Sequence, residues 1–124
     1  MRWIKWLFYI CGIYGLLVIP PLYLREAALA KAGLPAITYP EFFYGFVGVG
    51  LAWQLVFLVI GSDPTRFRPL MLVGVVEKLG FGVPAALLYQ AGRIKADMFA
   101  AGMLDLLMAV LFTVAWIRAG KNDS

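Results

Sequence analysis

The chain has no histidine and a single cysteine, Cys11, among its 124 residues. Zinc, haem and iron–sulfur sites draw their protein ligands mainly from these two residue types, so such a centre would lack its usual ligands within this chain. A lone cysteine also excludes an internal disulfide, and it says nothing about redox compartment. Charge is scarce as well: charged residues make up 15% and hydrophobic residues 63% of the chain. A soluble domain carries about 25% charged and about 45 to 50% apolar residues, so the composition excludes an ordinary aqueous fold. The net charge of +4 is spread over short polar connections. With no soluble surface to hold a basic patch, it gives no reason to expect a nucleic-acid partner. No repeat of 20 to 50 residues and no low-complexity segment is present.

What is present is a series of long apolar runs. Four approach the ~20 residues that a helix needs to cross a bilayer: residues 4–24, 41–60, 69–91 and 98–117. They predict an all-α integral membrane bundle of four transmembrane helices, one domain over residues 1–124. Arg2 and Lys5 ahead of an apolar stretch, with Ala28-Leu29-Ala30 behind it, imitate a secretory signal. Arg25 and Glu26 interrupt the approach to that site and the stretch is long for a signal core, so the run is expected to be a retained span.

The connections between spans are punctuated. Pro20-Pro21 should bend or end the first helix, and residues 22–32 then read as a short helix closed by Gly33, lying at the interface or extending the span. Thr38-Tyr-Pro-Glu41 fits a capping box for the second span, which makes Glu41 a cap rather than a catalyst. Asp63-Pro64 marks a turn, and Asp97 suits the N-cap of the fourth span. Arg2, Lys5, Arg66, Arg68, Arg118 and Lys121 fall on one side of the membrane, whereas Arg25, Lys31, Arg93 and Lys95 fall on the other. The side richer in Arg and Lys, which holds both termini, is expected to be cytoplasmic.

Helices in lipid associate through small and polar residues. On the second span Glu41, Gly45, Gly48 and Ala52 share a face, and on the fourth Ala101, Asp105, Ala109 and Thr113 recur every four residues. Both stripes are expected to serve helix packing. Cys11 and Gly15 make a similar pair on the first span.

The candidate site is polar and deep. Glu77 and Lys78 interrupt the third apolar run, where each charge costs about 2.5 to 3.5 kcal/mol at the centre of an inserting helix. At a rise of 1.5 Å per residue, Glu77 lies ~12 Å from the terminal side, Gln54 ~9 Å and Tyr14 ~12 to 15 Å, so these three should be level. Adjacent helical residues point about 100° apart, which predicts that Glu77 and Lys78 do not neutralise each other. Glu77 should turn to Gln54 and Tyr14, and Lys78 should reach for Asp105. Trp53, also at mid-depth, offers a flat aromatic wall, and Gly80-Phe-Gly-Val-Pro84 predicts a kink just beyond the charges.

Three active readings share this centre, beside a purely structural one in which the polar residues only fix helix register. The first is a non-catalytic bundle that binds a lipid or quinone-like molecule, or a partner membrane protein, through Glu77, Lys78, Asp105, Gln54, Tyr14 and Trp53. The second is a proton-coupled transporter acting as a homodimer, resembling the small multidrug resistance exporters, although the essential acid of those proteins lies in the first span, where this chain has Cys11 and Tyr14. The third is a lipid- or sterol-modifying enzyme with Glu77 or Asp105 as acid or base, resembling the emopamil-binding enzymes in span count and intramembrane acids. No catalytic residue, metal or cofactor is assigned from the residues.

The glycine-rich, aromatic second span (Tyr39-Pro-Glu-Phe-Phe-Tyr-Gly-Phe-Val-Gly-Val-Gly), Arg68-Pro-Leu and Glu77-Lys78 in the third, and Asp105-Leu-Leu in the fourth resemble the small four-helix membrane proteins of the DoxX-like grouping. That resemblance implies a bundle in the bacterial inner membrane, in a grouping with some members tied to quinone or thiol redox complexes.

Overall fold

The computed structural model describes residues 2–122. Every regular element among them is helical: α1 Arg2–Val18, a 3₁₀ turn Pro20–Leu24, α2 Arg25–Lys31, α3 Pro40–Ser62, α4 Arg68–Gln90 and α5 Ala96–Asn122. Four helical stretches are long and apolar enough to cross a membrane: Arg2–Lys31, Pro40–Ser62, Arg68–Gln90 and Ala96–Lys121. The apolar surplus predicted from composition faces outward. Ile10, Leu17, Val49, Leu55, Val76, Leu107 and Val110 are all more than half exposed.

Pro20-Pro21 converts α1 to a 3₁₀ turn without ending its helical course, and α2 continues the first long apolar stretch, one of the two placements the sequence left open. Gly33 closes α2 with φ +69°, the Leu34 amide donating to the Leu29 carbonyl and the Gly33 amide to that of Ala30. Gly92 closes α4 in the same way, with φ +71° and the Arg93 amide donating to Leu88. Both are Schellman closures, which need a left-handed residue that only glycine adopts without strain.

Two terminal expectations require correction. The capping box at Thr38 is not formed: α3 is preceded by Tyr39 in a left-handed conformation (φ 57°, ψ 63°) with no side-chain cap, and Pro40 supplies the first turn. Glu41 is therefore free of a capping role. Asp97 lies inside the first turn of α5 rather than at its N-cap, accepting from the Met98 amide at 2.9 Å. Its carboxylate still suits the positive end of the helix dipole.

The helices form two tight pairs. In the first, α1 lies on α3: a Cβ at Gly12 would come within 2.8 Å of Leu58 and 2.9 Å of the Gln54 carbonyl, and one at Gly61 within 2.7 Å of the Tyr9 ring. In the second, α4 lies on α5, and a Cβ at Gly82 would come within 2.6 Å of Leu106 and 3.0 Å of the Gly102 carbonyl. Close backbone approach of this kind is the main means of helix association in lipid. The expected packing stripe on α3 is not the seam. Gly45 and Ala52 are exposed, a Cβ on Gly45 would meet nothing within 4 Å, and Gly48 has only the Tyr23 hydroxyl at 3.7 Å. On α5, Ala109 is buried in the bundle, whereas Ala101 is half-buried beside a cavity.

The two pairs meet at the end of the bundle that holds both termini. There Phe8 stacks on Phe112 (ring centroids 4.4 Å, 25°) and Phe57 packs edgewise on Phe112 (5.1 Å, 60°), all three fully buried. Ile4, Ile60, Met71, Ala115 and Ala119 complete the plug. Toward the other end α3 and α4 separate.

Candidate functional site

The polar centre rests directly on this aromatic plug. Lys78 is 4% exposed, and its ammonium stands 4.9 Å above the centre of the Phe57 ring. An ammonium over an aromatic face is attracted by the ring quadrupole, most strongly where water is excluded. From there Lys78 reaches two carboxylates at once: Nζ lies 3.6 Å from Glu77 Oε2 and 3.7 Å from Asp105 Oδ1.

This corrects the expectation that Glu77 and Lys78 ignore one another. The 100° between adjacent residues separates their Cβ atoms. The four-carbon lysine stem can nevertheless swing its head back beside its neighbour's carboxylate while it also spans to α5.

Glu77 makes no hydrogen bond to Gln54 or Tyr14. Gln54, 2% exposed, donates its Nε2 to the Gly50 carbonyl within its own helix at 2.8 Å. Its Oε1 and Glu77 Oε2 are buried with no hydrogen-bond partner. Gly15 makes room for Gln54, because a Cβ there would fall on the Gln54 side-chain amide. The small residue that the sequence paired with Cys11 therefore accommodates a polar side chain.

Above the plug lies a cavity of about 180 Å³ that gathers residues from all four long helices. Tyr14, Gln54 and Glu77, which the sequence placed at one level, line it together with Lys78 and Asp105. Leu22, Phe46, Phe81 and Met98 form its apolar wall away from the plug. Trp53 is not among its lining residues. It faces a second, open groove of about 690 Å³ between α3 and α4, which Glu41, Gly45, Val49, Val76 and Gly80 also line.

Glu77, Gly50, Phe46 and Phe81 border both spaces. The Phe46 and Phe81 rings, 6.0 Å apart and tilted by 35°, form part of the partition. The glycines before Pro84 divide between two tasks: Gly82 closes on α5, whereas Gly80 opens onto the groove. The helix continues through Pro84 without a break in its assignment.

Sequence reasoning missed the plug. Phe8, Phe57 and Phe112 carry no signal that separates an inward phenylalanine from one facing lipid, since both environments are apolar. It also missed the groove, because depth along a helix says nothing of how far apart two helices stand. Among the described residues no cluster of acids, cysteine or histidine is arranged to hold a metal.

No family model, curated protein or solved structure matches the chain. The class defined by fold and site is an all-helical protein with four helices of membrane-spanning length and a charged cluster at the floor of an internal cavity.

Proposed function

We propose that this chain is a multi-pass membrane protein whose four-helix bundle holds a lipid- or quinone-like amphiphile, without catalysis, through the polar centre at Glu77, Lys78 and Asp105. The observation that carries this reading is an excess of acceptors at the floor of an otherwise apolar cavity: two carboxyl groups, Glu77 and Asp105, share the one Lys78 ammonium, and Gln54 Oε1 beside them is buried with no hydrogen-bond partner. An unsatisfied buried polar group costs about 1 to 3 kcal/mol, which a ligand donating to it recovers. A purely structural knot would gain by satisfying Gln54 Oε1 internally, as Gln54 Nε2 is satisfied at the Gly50 carbonyl.

The location follows the same reasoning. Outward apolar side chains and four long apolar helices support a bilayer setting, and the excess of Arg and Lys at the plug end supports cytoplasmic termini. The four-helix layout also keeps the DoxX-like resemblance, with its bacterial inner membrane, as part of this proposal.

The test replaces Glu77-Lys78 by Gln-Met and compares the lipids that co-purify with each protein by native mass spectrometry. The expected result is a variant that assembles normally and loses a bound amphiphile. An assembled variant that retains the same bound species removes the reading.

A further inference from the structure

The groove between α3 and α4 runs from Glu41 near the start of α3 to Trp53, twelve residues on. At 1.5 Å per residue that is a channel of ~18 Å along the helix axis. Its walls are apolar and aromatic, and among the described residues that line it the charged ones are two carboxylates, Glu41 at one end and Glu77, with no Lys or Arg. Glu77 belongs also to the cavity, where it shares the Lys78 ammonium with Asp105 and where Gln54 Oε1 is buried without a hydrogen-bond donor. With two carboxyl groups on one ammonium, and with Gln54 Oε1 and Glu41 nearby, acceptors outnumber donors along this path, so what it can take up is a donor or a positive charge.

The groove is also empty by construction of its backbone. A Cβ added at Gly45 or Gly80 would meet nothing within 4 Å, although both positions lie within apolar helices. Elsewhere glycines sit where a neighbour needs the space, as at Gly12, Gly15 and Gly82. Here they widen a channel.

We propose that this groove is a lateral binding site for one amphiphile with a protonated amine head, its chain lying along Gly45, Val49 and Gly80 and its ammonium at Glu77. This rests on the amphiphile reading of the cavity and narrows the head group. A quinone brings only acceptors, whereas an ammonium donates to Glu77 and toward Gln54. Phe46, Phe81 and Trp53 offer ring faces to the same cation. A chain in the groove and a head beside the cavity let the ligand reach the polar centre from the bilayer, past the plug-free edge of the bundle.

The experiment uses the full chain in phosphatidylcholine nanodiscs, with Trp3, Trp6 and Trp116 replaced by Phe so that Trp53 alone fluoresces. The probe is a long-chain primary amine brominated near its tail, compared with the brominated alcohol of the same chain length. Saturable quenching by the amine is expected, with the alcohol weaker by about tenfold or more, the factor for one charge-assisted hydrogen bond. Glu77→Gln is expected to weaken the amine to the level of the alcohol. Gly45→Leu, which fills open space and leaves the helix pairs untouched, is expected to weaken both. Equal binding of alcohol and amine overturns the head group, and unchanged binding in Gly45→Leu overturns the groove.

An Ala101→Leu variant, which fills the cavity, separates the two levels of the argument. Binding lost there but kept in Gly45→Leu leaves the cavity reading intact and ends this one; no saturable binding of either probe ends both. If Gly45→Leu abolishes a cross-linked dimer and leaves amine binding unchanged, a second copy of the chain covers the groove and the proposal falls.

Discussion

Lys78 binds both the residue beside it and a residue on another helix: its ammonium lies 3.6 Å from the Glu77 carboxylate and 3.7 Å from that of Asp105. One buried cation thus ties two acids on α4 and α5 above an aromatic ring. Removing one member of a buried ionic group costs far more than replacing the whole group, because the survivors are left uncompensated.

Lys78→Met is therefore expected to destabilise the protein by about 3 to 5 kcal/mol, the range for breaking a buried pair. The triple variant Glu77→Gln, Lys78→Met, Asp105→Asn removes all three charges and should recover much of that loss. Thermal unfolding in one detergent compares them. A triple variant as unstable as Lys78→Met would show that shape rather than charge governs the site.

The fit of Gln54 against Gly15 gives a sharper packing prediction. A Cβ at Gly15 would overlap the Gln54 side chain, whose amide is held by Gly50. Gly15→Ala should cost about 1 to 3 kcal/mol through overpacking. Adding Gln54→Ala should relieve it, so that the double variant is more stable than the two single losses imply, a coupling that a double-mutant cycle in thermal stability measures directly. Additive losses would mean that the two side chains do not compete for that space.

How far the sequence could be read depends on which property is asked about. The four long helices follow the apolar runs to within a few residues at most ends, because hydropathy and length are properties of each helix by itself. Tyr14, Gln54 and Glu77 gather at one cavity because depth is additive along a straight helix, and Lys78 and Asp105, legible as charges within apolar runs, join them there. Pairing was legible only in part: Lys78 reaches Asp105 as expected, at 3.7 Å, but the other contacts were not. Whether Lys78 turns to Glu77 depends on a flexible stem, and whether Gly45 packs or lines a groove depends on the spacing between α3 and α4, which no single helix encodes. The capping box failed for a related reason: Thr38 and Glu41 have the right spacing, but Tyr39 takes a left-handed turn into Pro40 that moves the helix start past Thr38.

At the terminal end Arg68 anchors the start of α4 to the end of α5. Its Nε donates to the Trp116 carbonyl at 2.8 Å, its guanidinium carbon lies 4.5 Å from the centre of the Trp116 ring, and the group rests against Gly120. Arg68→Lys keeps the charge but loses the planar fork and its stacking. It is expected to cost about 1 to 2 kcal/mol, the joint scale of a charged hydrogen bond and a partly buried cation–π contact, read from thermal unfolding. Gly120→Val should produce a loss of similar direction by displacing the guanidinium. If Arg68→Lys unfolds with the parent, the anchor is a bystander.

Cys11 offers a direct reading of the plug. It is 5% exposed and packs in the cluster with Phe8, Phe57 and Phe112, between the closed end of the bundle and the cavity above it. A thiol in that place is shielded from reagents unless the plug opens, so a membrane-permeant maleimide should label the parent protein slowly. Phe112→Ala removes the ring that both Phe8 and Phe57 pack upon, a change expected to cost about 3 to 5 kcal/mol and to leave a void beside the thiol. Labelling of Cys11 should then accelerate by about tenfold or more, the factor that accompanies each 1.4 kcal/mol of easier opening. Because Tyr14 and Gln54 stand on the far side of the cluster, Tyr14→Phe should leave the rate unchanged. Fast labelling of the parent would mean that the aromatic cluster does not close that end, and the cavity would then be open at both ends.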